Sequence, residues 1–255
     1  MLGLGFRPWP RGGASAPWSP GDEASIIEWG DPDTMLNSGA SVASVGQAVE
    51  TWNSKGSVGT LTMTRSAETH LVRAEGSGQY LEVTSPPRGT GASGTAAFSF
   101  TSKELIGTEL WTVVRPRAQS VQFFGLVGSN QQIGTFPAGG DVSPQTRVRL
   151  AGSPAIYDGY INQTMPIIRT DQFSVVRGQF RSDGVLVEVY DGTGVSSLDY
   201  TEPQASLEID AIGALPELSD YDIAAYLVLF GEAAPALEAN INSYLGGIRD
   251  ALNGA

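Results

Sequence analysis

The chain contains no cysteine and a single histidine, His70, among 255 residues. Without thiols it can form no disulfide, no thiolate metal site and no cysteine nucleophile, which sets it apart from small secreted modules that depend on disulfide staples. One histidine cannot build a His-rich metal cluster, nor a Ser-His-Asp triad with a second histidine to spare; His70 reads as a solvated or core-edge residue. Charged residues make up only 16% of the chain. No apolar run approaches the roughly 20 residues of a transmembrane helix, so no membrane association is expected. No Gly-rich stretch ends in the Lys-Ser/Thr pair and helix of a phosphate loop. The opening Met1-Leu-Gly-Leu-Gly-Phe-Arg-Pro-Trp-Pro10 has no basic region followed by an apolar run, so no cleaved signal is expected.

Basic residues are missing from a long stretch. Between Ser182 and Ile248 there are 12 Asp or Glu and no Lys or Arg, while the other 15 acidic residues balance all 15 basic ones. The formal charge of −12 therefore belongs to the C-terminal part. Such a surface is solubilising, leaves room for a cation or a basic partner, and repels duplex nucleic acid.

What is abundant points to β-structure. With 32 Gly, 15 Pro and 41% hydrophobic residues, the composition suits short strands joined by turns. Residues 1–21 form a Pro- and Gly-rich zone without periodicity, predicted to be an extended N-terminal arm. Its Phe6, Trp9 and Trp18 need cover, either from the protein's own body or as contacts to a neighbouring subunit. The body, residues 22–255, opens with a strand at Ala24–Trp29 and a turn at Asp31-Pro32-Asp33. Ala48–Trp52 leads into the turn Asn53-Ser-Lys-Gly56. Strands follow at Leu61–Thr64, Gln79–Thr84, Ala97–Phe100, Glu109–Arg115 and Val121–Val127. Asn130–Pro154 is dominated by turn residues, with one alternating strand at Thr146–Leu150. Phe173–Phe180 and Val185–Tyr190 flank Arg181-Ser-Asp-Gly184, and Asp-Gly between alternating β-branched runs signals a hairpin. Leu207–Ile212 precedes the closing unit. There Ile223–Phe230 carries no charge, as expected of a strand covered on both faces. Beyond it, Pro235 suits a first helical turn, and Leu237, Ile241, Tyr244, Leu245, Ile248 and Leu252 recur at helical spacing, placing a helix over about 234–252. Together these predict an all-β antiparallel sandwich with a short C-terminal helix.

This order of features resembles the laminin-G-like or concanavalin A-like jelly rolls, in the versions found in bacteriophage and phage-derived virion proteins. The resemblance rests on Trp29-Gly-Asp-Pro-Asp33, Thr51-Trp-Asn-Ser-Lys-Gly56, the Phe173–Tyr190 hairpin, Ile209-Asp-Ala-Ile-Gly213 and the ending from Asp222 to Leu245. It implies a non-enzymatic virion structural or adhesion protein, a fibre, decoration or host-surface-binding module made in the host cytoplasm. Its partners would be other virion subunits, further copies of itself and a cell-surface polysaccharide. The alternative is a free carbohydrate-binding protein, and a third reading is a glycoside hydrolase.

Three constellations carry candidate chemistry. Glu208-Ile-Asp210-Ala-Ile212 is an incomplete form of the three alternating carboxylates that some glucanases of this broad fold place on one strand; the third position is Ile212, so catalysis is not expected. Laminin-G relatives often hold calcium between rim loops, and Asp183, Asp191 and Asp199 are the candidate ligands, with turn formation as the plainer role. Tyr157-Asp158-Gly-Tyr160 with Asn162 combines rings with hydrogen-bonding groups, the composition of a sugar site. Trp52 and Trp111 are expected in the core.

Overall fold

The computed structural model describes residues 18–58, 62–65, 70–84, 98–118, 121–125, 132–137, 144–149, 166–201, 206–212 and 220–254. Their strands are β1 (Ile26–Gly30), β2 (Met35–Leu36), β3 (Thr51–Trp52), β4 (Met63–Arg65), β5 (Leu71–Glu75), β6 (Gly78–Val83), β7 (Phe98–Glu104) and β8 (Thr108–Pro116). These are followed by β9 (Val121–Gly125), β10 (Gln132–Pro137), β11 (Pro144–Arg149), β12 (Ser174–Arg181), β13 (Gly184–Tyr190), β14 (Val195–Thr201), β15 (Glu208–Ile212) and β16 (Tyr221–Phe230). One helix, α1, spans Pro235–Asn253. The first sheet has the order β14-β13-β12-β8-β16-β6-β5, with β1 also pairing β16; the second runs β11-β10-β9-β15-β7-β4-β3-β2. Every pairing between these strands is antiparallel. The fold is thus a jelly-roll β-sandwich of the concanavalin A-like kind, closed by a C-terminal helix.

β16 lies at the centre. One edge pairs with β8 along its length; the other is shared between β6, at Tyr221–Ile223, and β1, at Tyr226–Leu229. Its side chains enter two separate cores. Tyr221, Ile223, Tyr226 and Val228 point between the sheets, where Trp52, Phe98, Phe123 and Phe180 are also buried. Ala224, Ala225, Leu227 and Leu229 point the other way, into a second core with Trp111, Val113 and Val175 of the first sheet, Phe173 just before β12, and Ile241, Leu245 and Leu252 of α1. A strand covered on both faces has no use for polar alternation, which is why its sequence reads as an unbroken apolar run. Trp52 and Trp111 are both fully buried, as expected.

The helix is seated at its far end by specific contacts. The Asn253 side chain bridges the backbone of Phe173, its Nδ2 donating to the carbonyl at 3.0 Å and its Oδ1 accepting from the N–H at 2.9 Å. Ser77 N–H donates to the Ala251 carbonyl at 2.9 Å. At Gly76, φ 56°, a Cβ would stand 2.2 Å from the Ala251 carbonyl oxygen, so the β5–β6 turn can approach the helix backbone because that position has none. Gly254 ends the helix in the left-handed conformation, φ 74°, at no steric cost.

Four strands exceed the sequence-based expectation: β2, β5 and β14 have no counterpart in it, and the Asn130–Pro154 stretch holds two strands, β10 and β11, where turn residues suggest one. β14, Val-Ser-Ser-Leu-Asp-Tyr-Thr, is an edge strand with one face open to solvent, so its polarity hides it. β10 carries Gly134, whose missing Cβ would otherwise lie 2.1 Å from the Val121 carbonyl of its neighbour; glycine there signals close strand approach, and it looks like a turn only in the linear sequence.

Two outcomes follow for stability. Asn253→Ala leaves both polar groups of a buried backbone position without partners and should cost about 1–3 kcal/mol, read as a lower urea midpoint. The second concerns alkaline pH. Burial raises the phenol pKa of Tyr190, Tyr226 and Tyr244, with the Glu188 hydrogen bond adding at Tyr190 and the Asp31 charge at Tyr244. A group held protonated in the folded state contributes stability below its unfolded pKa and loses it as pH rises. Stability should therefore fall above a pH of about 10, with absorbance at the phenolate band rising together with unfolding.

Candidate functional site

The outer face of the first sheet is divided. α1 packs on β5, β6, β8, β12 and β16, while β13 and β14 lie at and beyond its margin. Strand register aligns the side chains of this face in rows that run from the covered β8 and β12 out to β13 and β14. Trp111, Arg177, Glu188 and Ser197 lie abreast on β8, β12, β13 and β14; Glu109, Gln179, Leu186 and Asp199 form the next row; Val113, Val175, Tyr190 and Val195 form the row on the other side. Membership of Trp111, Val113 and Val175 in the helix-side core fixes this face as the outer one.

At its inner margin an ionic lock is built around Glu109 and Arg177, both buried. Arg177 donates Nη2–H to Glu109 Oε1 at 2.8 Å and Nε–H to Oε2 at 3.2 Å. Glu109 also accepts from Trp111 Nε1 at 2.8 Å, Ala233 N at 3.0 Å and Gln179 Nε2 at 3.4 Å. A carboxylate so fully hydrogen-bonded tolerates burial. The remaining terminal nitrogen of Arg177, Nη1, holds Glu188 at 2.8 Å and Glu238 of α1 at 3.1 Å. Burial alone would lower the Arg177 pKa, but the bonds to Glu109 and Glu188 and the Glu238 charge raise it above its ordinary value.

From this lock the face runs outward as a strip between α1 and the edge strand β14. Tyr190 is half-buried, its ring stacked on Trp111 at 5.9 Å between centroids and 24° between planes. Its hydroxyl donates to Glu188 at 2.9 Å, which fixes both groups. The half-exposed Asp199, paired with Arg181, and the exposed Ser197 and Val195 line the β14 side. α1 walls the other side, with Glu238 toward its start and Arg249, which reaches the Tyr190 carbonyl at 3.3 Å, toward its end. A ring with a fixed tilt, surrounded by carboxylates, hydroxyls and guanidinium groups, can cover the apolar face of a sugar ring and read its hydroxyls.

The sequence-derived candidates fall elsewhere. Phe6, Trp9, Tyr157, Asp158, Tyr160 and Asn162 lie outside the described residues. Trp18 is half-buried, edge-on to Tyr244 of α1 at 6.2 Å; that tyrosine donates its hydroxyl to Asp31 at 2.9 Å. Asp183 and Asp199 come together, but on the Arg181 guanidinium. Asp191 spends its Oδ1 on the Thr193 N–H and hydroxyl and the Gly194 N–H of its own turn. Among the described residues no three or more His, Cys, Asp or Glu side chains are grouped to hold a metal ion. Glu208 and Asp210 are on β15 of the second sheet, turned away from the inward Ile209 and Ile212, with Glu208 accepting from Ser102 at 3.4 Å. They are not on this strip. His70 is buried beside Phe98, 5.5 Å between rings, and belongs to the core.

Glu109, Arg177, Glu188, Tyr190 and Glu238 were not singled out from sequence. A signal existed for two of them: Glu109 and Arg177 are single charges at or within otherwise apolar runs, and a charge in a buried strand needs an opposite partner.

No family model matches the sequence, and no curated protein matches it. Among solved structures, the chain is similar to an arabinofuranosidase complexed with arabinofuranosyl-α-1,2-xylobiose, at 13% identity over 80% of this chain and 51% of that one, TM-score 0.49. It is also similar to domain 4 of AbnA, a GH43 extracellular arabinanase from Geobacillus stearothermophilus in complex with arabinotriose, at 16% identity over 72% and 82%, TM-score 0.41. A third is the exoplasmic/lumenal domain of VIP36 in its Ca2+/Man2-bound form, at 11% identity over 84% and 90%, TM-score 0.39. The chain spans about half the length of the arabinofuranosidase chains.

Removing one partner of the lock should expose its dependence on the other. Glu109→Ala strands a buried guanidinium and should cost about 3–5 kcal/mol in urea unfolding. Glu109→Leu combined with Arg177→Met should recover only part of that loss, because Trp111 Nε1 and the Ala233 N–H then have no acceptor.

Proposed function

We propose that this protein is a non-catalytic carbohydrate-binding β-sandwich that takes an uncharged oligosaccharide along the outer face of β13 and β14, beside α1. The observation that carries the proposal is Tyr190. Its half-buried ring is held by Trp111 and Glu188 at the margin of α1, beside the exposed residues of β14. Preorganised aromatic surface next to convergent hydrogen-bonding groups is what sugar recognition requires. Charge sets the ligand class: Glu188, Glu238 and Asp199 outnumber the exposed cations of the strip, which disfavours sulfated or uronic glycans.

Glu188 and Glu238 are bonded to the same nitrogen of Arg177. The guanidinium thus occupies the space between them, where a scissile glycosidic bond would have to lie for the pair to act as acid and nucleophile. That arrangement supports binding over hydrolysis. A virion adhesion module would use the same face, with many copies making weak single sites effective. The free binding protein is the form the strip itself supports, since it requires no partner.

A glycan array probed with the full chain tests this. Neutral oligosaccharides should be retained, and Tyr190→Ala should weaken that retention by about tenfold or more while leaving far-UV circular dichroism unchanged. Retention should be the same in EDTA as in calcium. Equal retention by the variant would place binding elsewhere, and release of reducing sugar that Glu238→Gln abolishes would replace binding with catalysis.

A further inference from the structure

A second recessed surface lies at the opposite lateral edge of the sandwich, where β2 and β3 end the second sheet and Ala48 bridges to Leu71 of β5, the last strand of the first. It is a cleft of about 330 Å³ lined by Asn37, Ser38, Ser41, Gln47 and Glu50, with Gly39 and Ala48. Two loops form it. In one, Asn37 Oδ1 accepts from the N–H groups of Gly39 and Ser41 at 2.9 and 3.2 Å. In the other, Gln47 Oε1 accepts from the Ser44 N–H at 2.9 Å. Asn37 Nδ2 then donates to that same Gln47 oxygen at 3.2 Å, joining the loops. Ala40, at φ 55°, is the one non-glycine residue with positive φ among those described, so this first loop holds its shape against a steric cost.

The donor inventory of the cleft is unbalanced. Both amide oxygens are used twice by the protein, whereas among the described residues the Nε2 group of the exposed Gln47 has no acceptor and the Asn37 Nδ2 group has one. A primary amide offers two N–H donors, so three N–H groups remain for a ligand, beside the Ser38 and Ser41 hydroxyls. Among the described residues no cation and no aromatic ring lines the cleft, which argues against phosphate or carboxylate ligands and against a stacked nucleobase. The same loops carry Val42 and Val45, each half exposed. Amide donors, hydroxyls and one carboxylate beside small apolar side chains match a neutral polyhydroxylated ligand, and the volume is at the low end for small-molecule sites.

We infer that this cleft is a second, independent sugar site, sized for one or two monosaccharide units, with Gln47 Nε2 and Asn37 Nδ2 as its principal donors. It does not rest on the Tyr190 strip. With both sites present, one chain would bridge two glycans or two segments of one polysaccharide, and binding to a polymer would exceed binding to either short fragment.

The test titrates the 15N-labelled full chain with free D-galactose, D-mannose, N-acetyl-D-glucosamine and L-arabinose, following the side-chain amide resonances of Asn37 and Gln47. At least one sugar should shift both pairs saturably, with a Kd of about 1 mM. Gln47→Glu preserves the acceptor that the Ser44 N–H and Asn37 use but removes the two N–H donors; it should weaken that sugar about fivefold or more while the Asn37 amide signal confirms an intact loop. Tyr190→Ala should leave the titration unchanged, so failure of the Tyr190 strip and failure of the cleft are read separately. Absence of shifts at Asn37 and Gln47 with all four sugars, or equal affinity in Gln47→Glu, would overturn the inference.

Discussion

Burial of β16 on both faces is the constraint on which the rest of this molecule depends. Ten residues at the centre of the first sheet expose almost nothing but Phe230, and that requires two different partners: the second sheet on one side and α1 on the other. At ~25 cal/mol per Å² of apolar surface, neither core would remain if its cover were lost. Each cover is therefore fixed by directional contacts as well as by packing. The helix is held by Asn253 on the Phe173 backbone and by Tyr244 on Asp31. The sheets are joined across by Lys103 of β7 on the buried Glu28 of β1, at 3.0 Å.

Where the helix-side core ends, buried charge begins. Glu109 with Arg177 bounds it toward β13, and Asp222 with Arg115 and Arg117 bounds it toward β5 and β6. Burial raises the Asp222 pKa against the opposing pull of the two arginines. These pairs exchange hydrocarbon for hydrogen-bonded ions at the points where the face must change from covered to wet. The Tyr190 strip follows from that boundary: Arg177 faces inward to Glu109 and outward to Glu188 and Glu238, so the same guanidinium ends the core and begins the site.

Much of the architecture is legible in the sequence. The Arg181–Gly184 hairpin joins β12 and β13, Asp31-Pro-Asp33 leads into a short 3-10 turn, and the apolar periodicity from Leu237 to Leu252 forms α1 with Pro235 in its first turn. Each depends on contacts within a few residues, or on a pattern that one surrounding imposes. The Tyr190 strip was hidden for the opposite reason. Its residues come from β8, β12, β13, β14 and α1, spanning Glu109 to Arg249, and each is unremarked in its own segment. Tyr190 ends an alternating strand, Glu238 is an ordinary first-turn acid, and only register places them beside one another. The Asp183, Asp191 and Asp199 candidates shared a composition, but the fold gives two of them to Arg181 and the third to its own turn.

β16 shows the division within a single element. Its apolar run determined that the strand would be buried, that it would be covered twice, and that it would need partners made earlier in the chain, which β1, β6 and β8 supply. The sequence could not determine which side chain would face which core. The register slips between Ile223 and Ala225, and an irregularity of this kind reverses the alternation that follows. Tyr221 and Ile223 point between the sheets before it, Tyr226 and Val228 after it, while two consecutive alanines take the helix side. Eight uncharged residues in a row fit either phase equally well. The choice was made by the fit of Tyr226 against Trp52, at 5.1 Å between rings, and by the room α1 needs above Ala224 and Ala225, neither of which exists until the sandwich has closed.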